Sequence, residues 1–581
     1  MMRLDMKGSG WFERLIILLS LAGAWGGVML AVEGVFPLPA TSTRPAWAEI
    51  NKDRLLENIR TLSSDEFEGR APGSKGEELT IRFLEAQFKK LGLKPGNPDG
   101  TYFQDVPMVG ITPDAEMQLA FTAAGGETRR LKYLDDFIAL TKRQQKEISI
   151  NADLVFVGYG VVAPEYQWDD YKDEDVAGKV LVMLVNDPPV PDPRDPSTLD
   201  AEVFKGRAMT YYGRWTYKYE IAAQKKAAGC LIVHETGPAG YPWGVVRNSF
   251  SGEQMSLAGA DKGMSRGAVE GWITLDQAKV LFAMGGKDYD ALKSTALRRD
   301  FHPVPIGVKA SLSFRNKIRT VGSKNVVAKL TGSDPKRRNE YVIYSAHWDH
   351  LGIGEEVKGD RIYHGACDNA SGVAGLLELA RAYTKVRPRP RRSILFLSVT
   401  AEEQGLLGSE YYATHPLYPL AKTAADINMD AMNVLGRTKD VTIIGLGMST
   451  LDDVARAVAA EQDRVLKTDP EPEKGYYYRS DHFEFAKQGV PALDPHGGID
   501  FIGKPKGWGI EMRERFMRED YHKPSDQIKP YWDLSGMVED LQLLFSIGYR
   551  VGNADSFPAW GPGTEFKAKR DAILKAVASD K

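Results

Sequence analysis

Three apolar, β-rich runs in the second half of the chain each end on an imidazole or a carboxylate, and this pairing restricts the architecture more than any other feature. Residues 341–346 (Tyr-Val-Ile-Tyr-Ser-Ala) lead straight into His347 and Asp349. Residues 393–399 (Ser-Ile-Leu-Phe-Leu-Ser-Val) lead into Glu402 and Glu403, and a third short run beginning near Ala425 closes on Asp430. Residues 371–384 are rich in Ala and Leu at helical spacing, with Asp368 in the turn before them. Buried strands alternating with a helix predict an α/β domain, and in an open α/β sheet sites assemble just beyond the carboxyl ends of strands. These residues are therefore expected to converge on one pocket.

Their chemistry is narrow. With Tyr521-His522 added, the five stretches read His-x-Asp, Asp, Glu-Glu, Asp, His, imidazole and carboxylate only, which suits a divalent metal and above all zinc. One carboxylate more than a single zinc needs points to two metals with a shared ligand, and so to metal-assisted hydrolysis. Taken singly, each piece has an ordinary reading. A Glu-Glu pair is usually a solvated step, a lone histidine is usually hydrogen-bonded in a core, and Asp368-Asn369 reads as a turn with a helix cap. Their order along the chain, at strand ends, favours the site.

Around these residues the chain resembles the co-catalytic two-zinc exopeptidases, the family of aminopeptidase Y and glutamate carboxypeptidase. The resemblance extends to Leu62-Ser63-Ser64-Asp65-Glu66-Phe67-Glu68-Gly69-Arg70, to Tyr478-Arg479-Ser480-Asp481-His482-Phe483 and to Gly489-Val490-Pro491-Ala492. It implies a catalytic α/β domain with a mixed central sheet flanked by helices, interrupted by a β-rich protease-associated domain, and two zinc ions per chain. In that scheme Asp368 bridges the metals, His347 and Asp430 complete one zinc, and Glu403 and His522 complete the other. Glu402 would be the general base, Asp349 the carboxylate that orients His347, and Tyr521 a hydrogen-bond donor to the oxyanion. Cys367 departs from the acid that many relatives carry before the bridging aspartate, and reads as a small buried residue pointing away.

The resemblance implies an aminopeptidase acting on peptides. A glutamate-releasing carboxypeptidase and a glutaminyl cyclase are the alternatives within catalysis, and a receptor-like member without metals is the alternative outside it. His347 disfavours the cyclase, and the survival of all five ligands with Glu402 disfavours the receptor. A net charge of −3 and a pI near 6.4 give no reason to expect a nucleic-acid partner. Two cysteines, Cys230 and Cys367, exclude a disulfide framework.

Arg3, Lys7 and Arg14 precede an uncharged apolar run over residues 15–32, and Ala46-Trp47-Ala48 has the small-x-small form of a cleavage site. Residues 1–48 therefore read as an export signal or, if uncleaved, an anchor that would be the chain's only membrane contact. The expected division is 49–149 for the first part of the catalytic domain, 150–315 for the protease-associated domain, 316–555 for the main catalytic part and 556–581 for a tail.

Overall fold

The computed structural model describes residues 44–114 and 116–579. Of the segment expected to direct export, only residues 44–48 lie within the described part. Among the described residues no helix is long and apolar enough to cross a membrane.

The apolar runs form a mixed sheet. Its principal strands are β1 (Phe103–Pro113), β2 (Val304–Leu330), β3 (Tyr341–His347), β4 (Ser393–Val399), β5 (Thr423–Asn428) and β6 (Ala492–Gly497). They pair in the spatial order β1-β2-β4-β3-β5-β6, with β4, β3, β5 and β6 parallel. β3, β4 and β5 are buried along their whole length, which is why their sequences are continuous rather than alternating. The helices named below are α1 (Gly372–Lys385), α2 (His482–Lys487), α3 (Trp508–Glu519), α4 (Ser535–Asn553) and α5 (Lys567–Ser579).

Side chains leave a strand alternately to its two faces, so each strand feeds two cores. Val342, Tyr344 and Ala346 of β3 join Leu376 and Leu379 of α1, Leu541 and Leu544 of α4, and Ile59 and Phe88 from helices Lys52–Leu62 and Lys75–Lys90. Tyr341 and Ile343 face the other way, with Leu395, Leu397, Tyr412 and Phe485. The result is a sheet between two helical layers.

A separate core runs from Met117 to Phe314. Its heart is a parallel set of strands, Val180–Leu184, Gly229–His234 and Val269–Thr274. The division expected at residue 149 does not hold. Leu119, Phe121, Phe137 and Ile138 belong to this second core, because strand Gln118–Ala123 pairs with the first half of β2 and Phe137–Leu140 with Val269–Thr274. The chain leaves the first core at the end of β1 and returns along β2, which pairs with the second unit up to Arg315 and with β1 from Asn316.

The described part of the C-terminal segment packs onto the fold from 560 to 570. Trp560 and Phe566 are buried against Tyr477, Tyr478 and Phe483, and Arg570 of α5 donates to the carbonyls of Leu420 and Thr423 at 2.9 and 2.7 Å. Aromatic residues spaced among Pro and Gly give no helical or strand period, so their burial is invisible in sequence.

Candidate metal centre

The carboxyl ends of β3, β4 and β5 deliver His347, the Glu402–Glu403 turn and Asp430 to one place, and the turn before α1 adds Asp368. His347 Nε2 stands 3.1 Å from Asp430 Oδ1 and 3.3 Å from Asp368 Oδ1. His522 Nε2 stands 3.3 Å from Asp368 Oδ2 and 3.0 Å from Glu403 Oε2. The two oxygens of Asp368 thus face two different histidines. Donor atoms of His347, Asp368 and Asp430 all lie within 4.8 Å of one another, as do those of His350, Asp368 and Glu403.

The donor set fits a pair of zinc ions. Four carboxylates, Asp368, Glu402, Glu403 and Asp430, crowd two imidazoles, and the local field is strongly attractive to cations. Burial disfavours a charged His347, yet Asp430, Glu402 and Asp368 outweigh it and hold its pKa well above the ordinary imidazole value. His522 is likewise raised to about 10, against burial, by Glu403 and Asp368. Burial would raise Asp368 and Glu403, but the facing histidines pull Asp368 far below the usual range and Glu403 to about 2.

Glu402 belongs to neither donor triad. Its Oε2 lies 3.9 Å from His347 Nε2, and it lines the cleft beside Asp368 and Asp430. Burial first, then the carboxylates of Glu403 and Asp430, push it well above the usual carboxylate range despite the pull of His347. Tyr521 stacks on the His522 ring at 3.8 Å between centroids, and its hydroxyl makes no hydrogen bond among the described residues.

Asp349 occupies the expected place but does different work. His347 Nδ1 bonds to the backbone carbonyl of Asp349 at 3.2 Å, whereas the Asp349 carboxylate stands 3.8 Å away. That carboxylate accepts the backbone N–H groups of Glu402 and Glu403 at 3.1 and 3.4 Å. It fixes the turn that carries the Glu-Glu pair.

Four residues not singled out from sequence complete the surroundings. His350 Nδ1 bonds to Glu403 Oε1 at 2.6 Å, while its Nε2 is buried without a partner. Ser480 donates to Asp430 Oδ2 at 2.7 Å and itself accepts from Asn428. Asp526 accepts the backbone N–H groups of Cys367 and Asp368, tying the loop of His522 to the turn of the shared aspartate. Arg70 is 1% exposed and donates to the carbonyls of Trp348, Leu62, His364 and Gly365, so the early Glu-Gly-Arg segment clamps the loops on both sides of the site. His350 directly follows His347-x-Asp349, and Arg70 and Ser480 lie in segments that carry the resemblance, but no role attached to any of them in sequence.

The Cys367 thiol is pushed well above its ordinary value by burial and lies 3.9 Å from the carbonyl of Met432, outside both donor groups. Cys230 is buried in the other core. Gly365 has φ +55°, and a Cβ there would come within 2.3 Å of the Asp368 carbonyl oxygen, so the turn presenting Asp368 needs glycine. Beside the donors opens a cleft of about 280 Å³ whose apolar wall includes Met432, Val434, Leu435, Phe501 and Phe516.

Residues 325–546 match the model of peptidase family M28, and for this segment the resemblance to two-zinc exopeptidases holds. Aminopeptidase NAALADL1 of Mus musculus is 38% identical over 132 residues, 22% of this chain and 16% of that protein. Leupeptin-inactivating enzyme 1 of Streptomyces exfoliatus is 26% identical over 208 residues, 35% of this chain and 43% of that protein. The chain thus aligns with less than half the length of these relatives. The solved structure of an aminopeptidase from Aneurinibacillus sp. strain AM-1 covers 89% of this chain and 97% of its own, with a TM-score of 0.50 at 20% identity, a likeness of fold.

Proposed function

We propose that this chain, with residues 325–546 as its peptidase-family-M28 unit, is a zinc-dependent exopeptidase that releases N-terminal residues from peptides. The observation that carries the reading is Asp368, whose two oxygens face His347 and His522 separately, with Asp430 beside the first and Glu403 beside the second. His347, Asp368 and Asp430 would hold one zinc, and Asp368, Glu403 and His522 the other. Bound there, the pair supplies Lewis acidity toward the scissile carbonyl and toward water.

Glu402 is the acid left over. From the cleft wall it accepts the proton of the attacking water and returns it to the departing amine. Asp349 keeps Glu402 aimed by holding the two backbone N–H groups of the turn. The Tyr521 hydroxyl, which makes no hydrogen bond among the described residues, donates to the oxygen on which negative charge develops. The apolar cleft wall receives the side chain next to the scissile bond, and the second-core unit, read as a protease-associated domain, stands as a wall limiting substrate size. The apolar run at 15–32 behind three basic residues supports export, and N-terminal sequencing of mature protein checks whether the segment is removed.

Acetylating the N terminus of a small peptide should nearly abolish its hydrolysis if the free amine is held beside the metals. Loss of hydrolysis on blocking the C terminus instead, with acetylated peptides still cleaved, would move the chain to the glutamate-releasing carboxypeptidases. Glu402→Gln should retain two zincs by elemental analysis while kcat falls roughly 10²–10⁴-fold.

A further inference from the structure

A cavity of about 620 Å³ opens at the end of the sheet opposite the metal centre. Glu340 and Arg392 in its wall directly precede β3 and β4, whose far ends carry His347 and the Glu402–Glu403 turn. Each of these strands is seven residues long, so the two places lie roughly 20 Å apart. The C-terminal segment forms the other side of the cavity, from Asp555 and Phe557 through Trp560 to Arg570 of α5. The volume is that of a small-molecule site.

Its wall is cationic. Five basic side chains, Lys336, Arg337, Arg392, Lys567 and Arg570, face three acids. Each acid is already engaged: Glu340 by Arg392 at 2.8 Å, Asp571 by Lys567 at 2.6 Å, and Asp555 by both Arg337 at 3.1 Å and Arg391 at 2.8 Å. Lys336 and Arg570 pair with no carboxylate among the described residues. Neither do Arg338, Arg387 and Arg389 in the two adjoining turns, which are tied together by Ser333 donating to the Arg389 carbonyl and Ser393 to that of Arg338. In a chain of net charge −3, positive charge is concentrated at this end. The buried part of it is held rigidly. Arg392 and Arg570 are 1% and 2% exposed, and their guanidinium groups lie 4.8 and 5.6 Å from the one Phe557 ring. Arg392 donates to the carbonyls of Val551 and Ala554, and Arg570 to those of Leu420 and Thr423. Carbonyl dipoles fix a guanidinium without neutralising it, and burial lowers Arg570 to about 10 with no acid opposing it. A phosphate monoester carries about two negative charges at neutral pH and three strong acceptor oxygens, which matches the surplus of two cations in the wall.

We propose that this cavity is a binding site for a phosphate monoester, remote from the metal centre, in which Lys336 and Arg570 supply the unneutralised charge. The phosphate is borne either by a small soluble molecule or by a lipid headgroup. Trp560 lines the cavity and also packs with Tyr477, Tyr478 and Phe483, the segment that carries Ser480. An occupied site therefore pins the C-terminal segment between the sheet and the back of the catalytic cleft.

The test uses the full-length, zinc-loaded protein at constant ionic strength, so that general screening by added salt does not enter. Calorimetry with glycerol 3-phosphate reads the soluble source. Co-sedimentation with phosphatidylcholine vesicles, with and without phosphatidic acid, reads the lipid source. At least one arm should show binding, and the arm that does so identifies the source. Lys336→Glu, at an exposed position, and Arg570→Gln should each weaken that binding roughly 10- to 100-fold, the weight of a charge-assisted hydrogen bond. If Arg570→Gln fails to fold, Lys567→Gln takes its place beside Lys336→Glu. No binding in either arm would overturn the proposal. So would binding that stays within twofold in either variant, the result expected if the zinc pair captured the phosphate instead.

Discussion

Asp349 lies in a pocket from which water is excluded, and burial above all pushes it up to about 8, against the charged form. What it gains there is two backbone N–H donors from the Glu402–Glu403 turn. Asp349→Asn keeps the shape but turns an NH₂ toward one of those donors, so one bond is lost and the turn loosens. We expect kcat to fall roughly 10- to 100-fold with both zincs retained, read by steady-state kinetics beside elemental analysis. A second prediction separates the two histidines around Glu403. His522→Ala should leave about one zinc per chain, whereas His350→Ala should keep two but bind them roughly 10- to 100-fold less tightly. Zinc loss in His350→Ala with full retention in His522→Ala would exchange their roles. His347, Asp368, Glu403 and Asp430 were legible because each follows a strand or opens a helix, whereas His522 stands in a turn after α3 and was pointed to by the resemblance. Ser480, Asp526 and Arg70 were not legible, because a serine, a loop aspartate and an early arginine acquire their partners only through long-range packing.

Elements were legible in proportion to how continuous their apolar runs are. β3, β4 and α1 follow from sequence nearly as drawn, since a continuous apolar run and an Ala- and Leu-rich stretch at helical spacing leave strong signals. The second unit starts earlier than its sequence suggests because Gln118–Ala123 alternates, Thr128–Leu131 is mostly polar, and the apolar Phe137–Leu140 is only four residues long. The C-terminal segment was taken for a tail because Trp560 and Phe566 are isolated in sequence. Its burial makes a prediction: truncation after residue 555 should expose the Tyr477–Phe483 segment that carries Arg479 and Ser480. Activity should fall with protease sensitivity rising there, as limited proteolysis would show, while a truncated chain with unchanged kinetics would contradict the packing. Within the second unit, Asp170 accepts from Val161 N–H and Trp168 Nε1 at 2.8 and 2.7 Å, and burial raises it from 3.8 to about 6. Its folded value lies above the unfolded one, so the stability it lends is whole below about pH 4 and is lost as the pH rises through about 6. The stability advantage of wild type over Asp170→Asn should shrink by ~3 kcal/mol between pH 4 and 7 in denaturant titrations. An advantage that grows with pH would show the carboxylate better solvated than its burial implies.

Across the whole molecule the two units are held by charge and aromatic contacts as well as by chain. Lys487 of α2 pairs with Glu220 at 2.8 Å, Tyr211 donates to the same carboxylate, and the Tyr211 ring lies 5.1 Å from that of Phe483. Arg207 and Lys205 reach Glu473 and Glu565. These contacts converge on the 473–487 segment and on Glu565, which accepts from Tyr478, so the second unit braces the wall of the site that it borders.

β2 makes the deeper connection, because it behaves as one ruler shared by two cores. Over Ile306, Val308, Ala310, Leu312 and Phe314 the even-numbered residues are buried in the second core, and Val326, Ala328 and Leu330 bury even-numbered ones in the first, while Val321 and Val327 pack on the other face. The two halves keep one parity across the exposed stretch 317–320. Removing one residue from that stretch would force one half to show its apolar face to water or rotate one unit against the other. Removing two would preserve both faces and draw the units together by about 6.8 Å, the rise of two strand residues. A one-residue deletion at 318 should therefore damage folding more than deletion of 318 and 319 together, as soluble yield and thermal melts would register. Length along this strand is counted in pairs.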